Sequence, residues 1–106
     1  MNWPDTADGD VFRRLKEHKF DFKANYDIDF DIDFNEWPPQ KEAIELIDSK
    51  YPNLQVFKPD EECEGYLSIR INTKLDYDFV IQMQNELTRL MQPYKGWCNA
   101  WGVLHG

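Results

Sequence analysis

From Tyr26 to Phe34 the chain alternates acidic and apolar residues without a break, reading Tyr26-Asp27-Ile28-Asp29-Phe30-Asp31-Ile32-Asp33-Phe34. Successive side chains of a strand point to opposite faces. This period of two therefore predicts a β-strand with Ile28, Phe30, Ile32 and Phe34 on one face and four carboxylates on the other. A second alternating run, Tyr66–Thr73, sets Leu67, Ile69 and Ile71 against Tyr66, Ser68 and Arg70. Leu54–Lys58 and Trp97–Leu104 read as two further strands. Elsewhere the apolar spacing is helical. Val11, Phe12 and Leu15 form a short stripe in a helix expected over about 8–18, which Asp8 or Asp10 can cap. Ala43, Ile44, Leu46 and Ile47 mark a second helix. Trp37-Pro38-Pro39 is expected to start it, in a first turn where the missing proline N–H costs nothing, and Tyr51-Pro52-Asn53 stops it. Val80, Met83, Leu87, Leu90 and Met91 mark a third, capped by Asp76 or Asp78 and ended by Pro93 and Gly96.

An added N-terminal helix followed by β-α-β-β-α-β is the pattern of a ferredoxin-like α+β domain. Right-handed crossovers place both crossover helices on one face of a four-stranded antiparallel sheet. The spatial order 4-1-3-2 then makes the acidic strand central, between the Tyr66 strand and the Trp97 strand. Asp27, Asp29, Asp31 and Asp33 line the face away from the helices, with Arg70 able to approach from one neighbour. The expected organisation is one domain over residues 1–106, with the added helix at about 8–18 and the core at about 26–105.

Charge narrows the function. The chain carries 20 acidic and 12 basic side chains, a net charge of −8, and 17 of the acids against 8 of the bases fall in residues 1–64. Binding to a phosphate backbone relies on cations, so a general duplex or phosphate-backbone binder is not expected and a basic protein surface is the expected partner. Met1-Asn2-Trp3-Pro4-Asp5 has no cationic n-region ahead of an apolar stretch, and no window reaches the length of a membrane span, so a soluble cytoplasmic protein is expected. Cys63 and Cys98 are too few for a disulfide scaffold and show no zinc spacing. In the 4-1-3-2 order the third and last strands lie about 9–10 Å apart, beyond the roughly 7 Å that a disulfide can span, so both are read as reduced thiols.

Four aspartates in a row invite a metal. Same-face residues of a strand stand about 6.6–6.8 Å apart, too dispersed for one strand to chelate a single ion. The chain also lacks an EF-hand spacing, a glycine-rich phosphate loop and a histidine cluster. A metal-dependent phosphoesterase is the enzymatic alternative, and single-stranded RNA stacked on Tyr66, Trp97 and Trp101 is another. The first lacks the ligand spacing, and the second sets phosphates beside aspartates. His18 and His105 are isolated from any triad partner, and the loop 59–65 reads as a solvated acidic turn. No catalytic residue, metal or cofactor is expected. Along the last strand, strict alternation sets Trp97, Asn99 and Trp101 on one side and Cys98, Ala100 and Gly102 on the other. If the small side faces the helices, the tryptophans stand beside the aspartates. The partner-binding set is then Asp27, Asp29, Asp31, Asp33, Arg70, Trp97, Asn99 and Trp101, suited to arginine-bearing partners. Otherwise the tryptophans pack, against Val11, Phe12 and Leu15 of the added helix.

Asp5, Ala7-Asp8-Gly9-Asp10-Val11, Arg14-Leu15, Phe20-Asp21-Phe22, Tyr26-Asp27-Ile28-Asp29-Phe30 and Gly96-Trp97-Cys98-Asn99-Ala100-Trp101-Gly102-Val103 together resemble the RraB family of ribonuclease E regulators, over nearly the whole chain. The resemblance implies a modified ferredoxin-like fold in a bacterial protein. It also implies a non-enzymatic regulator that binds ribonuclease E, or a related endoribonuclease, and inhibits cleavage of some transcripts. The best-known members carry a long acidic carboxyl-terminal tail, whereas this sequence ends at Gly106 directly after the last strand. An acidic interaction module with an unrelated partner is the alternative that the charge pattern leaves open.

Overall fold

The alternating acidic run occupies the middle of the sheet in the computed structural model, which describes residues 3–61 and 64–104. The elements follow as α1 (Ala7–Glu17), β1 (Asn25–Phe34), α2 (Lys41–Lys50), β2 (Gln55–Phe57), β3 (Tyr66–Lys74), α3 (Tyr77–Met91), a 3-10 turn (Gln92–Tyr94) and β4 (Gly96–Leu104). The architecture is α+β, with three helices and one open four-stranded sheet whose neighbouring strands are all antiparallel. Its strand order is β2-β3-β1-β4, which read from the other edge is 4-1-3-2.

Ile28, Phe30 and Ile32 are fully buried and Phe34 nearly so, and they meet Ala43 and Ile47 of α2, Leu67 and Ile69 of β3, and Val80, Leu87 and Met91 of α3 in one core. Each such side chain taken out of water contributes about 1.5–3 kcal/mol, so this face of β1 anchors the domain. Among the described residues no helix covers the opposite face. α1 extends the helical layer: Phe12, almost wholly buried, meets the rings of Trp3, Phe22, Tyr77 and Trp101 at centroid distances of 5.5–5.9 Å. Val11, expected in the same stripe, is exposed, because a helix this short docks along one narrow line of contact.

Three local expectations are corrected. Thr6 caps α1, its hydroxyl accepting from the Gly9 N–H at 3.1 Å, so neither Asp8 nor Asp10 does; both sit in the first turn. The prolines lie ahead of α2 rather than in its first turn: Gln40 is the capping residue and Lys41 the first helical one. After α3 it is Lys95, at φ 62°, that takes the left-handed position, while Gly96 follows as the first residue of β4. Gly96 answers a packing demand instead, since a Cβ there would stand 2.6 Å from the Phe34 ring and 3.1 Å from the Met91 Cβ. Asp76 caps α3 as anticipated, accepting from the Phe79 N–H at 3.0 Å.

Gly9 makes a close approach of a different kind. A Cβ at that position would overlap the Pro4 carbonyl oxygen, so the absence of a side chain lets the segment before α1 fold back onto the helix. Arg13 holds it there by donating to the carbonyl oxygens of Trp3 and Pro4 at 2.9 and 3.0 Å, and its guanidinium also pairs with Asp10.

Candidate functional site: the open face of the sheet

Register decides which side chains share the uncovered face. β1 and β3 pair Asp27 with Asn72, Asp29 with Arg70 and Asp31 with Ser68, so each aspartate looks across at a polar partner. One step beyond the Ile32–Leu67 pair, alternation brings Asp33 level with Tyr66. Tyr66 in turn pairs with Phe57 of β2, the two rings stacked at 4.7 Å. On the other flank Asp29 faces Gly102, Asp31 faces Ala100 and Asp33 faces Trp97. The small residues of β4 leave that side of Asp29 and Asp31 uncovered, and nothing lies within 4 Å of where a Cβ on Gly102 would be. One row of the face therefore reads Phe57, Tyr66, Asp33, Trp97 across all four strands.

The tryptophans do not share a face. Strict alternation along β4 breaks at a bulge: Asp31 pairs with Ala100 and Ile32 with Cys98, so Asn99 has no partner residue in β1. One extra residue inverts the facing of everything beyond it. Trp97 stays with the aspartates. Trp101 turns to the helical side, where its ring lies 5.7 Å from Phe12 and its indole N–H donates to Asp8 at 2.8 Å. Cys98 parts in the same way from Ala100 and Gly102, and its backbone N–H donates to the Thr88 hydroxyl of α3 at 3.0 Å. Of the expected residues, Asp27, Asp29, Asp31, Asp33, Arg70, Trp97 and Asn99 are brought together on this face and Trp101 is not. Phe57, Tyr66, Ser68 and Asn72 share the face with them. The β3 alternation and the Arg70 position signalled Ser68 and Tyr66; nothing in the sequence fixed the pairing that adds Phe57.

The aspartates are not equivalent. Arg70 forks onto both oxygens of Asp29 at 2.7 and 3.1 Å, a bidentate pair that drives the guanidinium further above its ordinary pKa. Asn72 donates to Asp27 at 2.9 Å. Asp31 receives a hydrogen bond from Ser68, the one polar side chain among the described residues that is buried. Burial nevertheless raises the Asp31 carboxyl above its usual range, Ser68 opposes the rise, and Asp29 adds to it. Burial also raises Asp33, helped by the charges of Asp31 and Glu64 and opposed by the Asn99 side chain. Among the described residues no lysine or arginine pairs with Asp31, Asp33 or Glu64.

Other chemistry is sparse. The Cys98 thiol is free, and burial, with the nearby charges of Asp31, Asp33 and Asp8, pushes it up to about 12, so it is a neutral thiol and not a nucleophile at neutral pH. Cys63 and His105 lie outside the described residues. Among the described residues no three His, Cys, Asp or Glu side chains converge as a metal site. A cleft of about 800 Å³ opens on the helical side between Trp3, Phe12, Phe22 and Tyr77. Its rim mixes Lys16 and Lys74 with Asp76 and Asp78, which selects no one ligand charge. No helix among the described residues is long and apolar enough to cross a membrane.

These features define a small α+β domain whose sheet keeps one face bare and acidic. Residues 5–103 match the family described as RraB, Regulator of ribonuclease activity B, and the chain belongs to that family. No curated protein sequence matches it significantly. The family is one of regulators of ribonuclease activity, which sets the role of this chain as regulatory and its partners among proteins of RNA degradation.

Proposed function

We propose that this chain is a non-enzymatic, cytoplasmic regulator of RNA processing and decay that binds an endoribonuclease, ribonuclease E or a relative of it, through the open acidic face of its sheet. The observation that carries the reading is the aspartate row of β1, half-exposed on a sheet whose other face takes the three helices. Proteins that handle RNA present lysine and arginine clusters to phosphates, and an acidic face is complementary to those clusters. Family membership supports a ribonuclease as the target. The β-α-β-β-α-β path and the strand order support reading the fold as ferredoxin-like, with α1 as the addition.

Affinity capture of the tagged chain, with quantitative mass spectrometry of the bound proteins, tests the partner. An endoribonuclease should be enriched. Its cleavage of a transcript in a purified reaction should slow when the chain is added and recover with Asp31→Asn and Asp33→Asn together. Repeated enrichment of an unrelated protein, with no ribonuclease component, defeats the endoribonuclease assignment.

A further inference from the structure

The open face has two chemically different ends, and only one of them has charge to offer. At the Asp27–Asp29 end the carboxylates are already answered: Arg70 forks onto Asp29 and the Asn72 amide donates to Asp27. A cation arriving there would have to displace Arg70. At the other end the neutral side chains of Ser68 and Asn99 stand beside Asp31 and Asp33, no lysine or arginine among the described residues pairs with either, and Glu64 is close enough to add its charge to theirs. That end is also where the aromatic rings gather. Trp97 stands opposite Asp33, and the stacked Phe57 and Tyr66 complete the row on the far side. Trp97 and Phe57 are 37% and 40% exposed, two of the four large apolar side chains left to solvent among the described residues.

We propose that this end of the face is a cation-binding subsite selective for arginine, in which a partner's guanidinium lies on the Trp97 ring and directs its N–H groups to the carboxylates of Asp33 and Asp31. The inference rests on the reading of the open face as a protein-binding surface and names which part of it grips, and what. Guanidinium is planar, so one flat side can cover an indole while the edge donates two parallel hydrogen bonds to a carboxylate. Ammonium is a compact, strongly hydrated point charge that cannot make both contacts in one pose. The Asp33–Trp97 juxtaposition supplies both halves of the guanidinium's requirement from adjacent strands, whose directly opposed side chains stand about 4.5–5.5 Å apart at Cβ. Arg70 and Asp29 in the same sheet show the bidentate fork formed on this face from within. The bulge at Asn99 is what makes the subsite, since it keeps Trp97 on the acidic face while Trp101 is committed to α1.

Two capped peptides test this without the natural partner, one alternating arginine with glycine over eight residues and one alternating lysine with glycine, each titrated calorimetrically against the full chain at moderate salt. The wild type should bind the arginine peptide about 2–5-fold more tightly than the lysine peptide, the range expected when cation–π contact at an exposed ring adds to an ion pair. Trp97→Ala should abolish that preference, Trp97→Phe should keep part of it, and Asp33→Asn should weaken both peptides. Asp29→Asn should change affinity by less than about 2-fold, because its charge is spent on Arg70. Trp97 is exposed at the surface, so Trp97→Ala and Trp97→Phe should keep the wild-type circular dichroism and melting temperature, and Asp33→Asn and Asp29→Asn should keep the wild-type circular dichroism. Equal affinity for the two peptides, no binding of either, or a larger loss from Asp29→Asn than from Asp33→Asn overturns the subsite. Arginine preference that depends on Trp97, with no endoribonuclease captured, leaves the subsite standing and removes the ribonuclease. Capture that persists in Trp97→Ala and Asp33→Asn, with no peptide binding, does the reverse.

Discussion

Replacing Asp8 by alanine removes the acceptor that ties α1 to the sheet. Asp8 receives the Trp101 indole N–H at 2.8 Å on one oxygen and the Gln84 amide at 3.3 Å on the other, joining the first helix to β4 and α3 across 93 and 76 residues of chain. A hydrogen bond to a charged group is worth about 1.5–3 kcal/mol. The site is only half buried, so water can take up part of the lost bonding, and the lower half of that range applies. Asp8 also lies in the first turn of α1, where a carboxylate opposite the helix dipole adds roughly 0.3–1 kcal/mol. The expected loss is about 2–3 kcal/mol, or about 8–12 °C in Tm at roughly 4 °C per kcal/mol for a domain near 100 residues. Urea unfolding followed by far-UV circular dichroism measures it, and Asp8→Asn should recover about half, since the amide oxygen still accepts. Repeating Asp8→Ala in a Trp101→Phe background isolates the pair, and there the substitution should cost no more than roughly 1 kcal/mol. Equal costs in the two backgrounds would mean that Asp8 and Trp101 are not coupled. The bulge that sends Trp101 to the helical side would then be refuted, along with the division of the two tryptophans between the faces.

The raised pKa of Asp31 and Asp33 makes a signed prediction about pH. A carboxyl that titrates higher folded than unfolded destabilises the native state when ionised, so at neutral pH both groups oppose folding. That opposition is relieved as pH falls through their folded pKa values toward the unfolded value of 3.8. Asp31→Asn with Asp33→Asn should therefore raise Tm at pH 7, and the advantage over wild type should close on acidification below about pH 4; a gap that is constant with pH contradicts the assigned cause. Phe30→Ala removes a fully buried ring from the centre of the core and should cost about 3–5 kcal/mol in urea unfolding. Val56→Ala on the exposed edge strand should stay within about 0.5 kcal/mol, and comparable losses at the two sites would contradict the placement of the core.

Local pattern alone determined the elements and the polarity of the acidic strand. Period-two alternation forces Ile28, Phe30 and Ile32 to one side of β1 whatever the rest of the chain does, and the core requires that side to face inward. The sign of the open face was likewise readable from charge along the chain. Which aspartate is free was not readable, because that depends on a register between β1 and β3 whose partners lie 41 and 45 residues apart, set by hydrogen bonds and packing rather than by neighbours in sequence. The facing of the tryptophans was beyond reach for the same reason. Alternation carries no mark of where a strand will bulge, and Asn99 is extruded only because Trp101 finds Phe12 and Asp8 on a helix more than 80 residues earlier, while Cys98 finds Thr88 on α3. An indole buried on one side needs both an apolar wall and an acceptor for its N–H. Tertiary structure supplied both on the helical face, and so left Trp97 as the single tryptophan of β4 beside the acids.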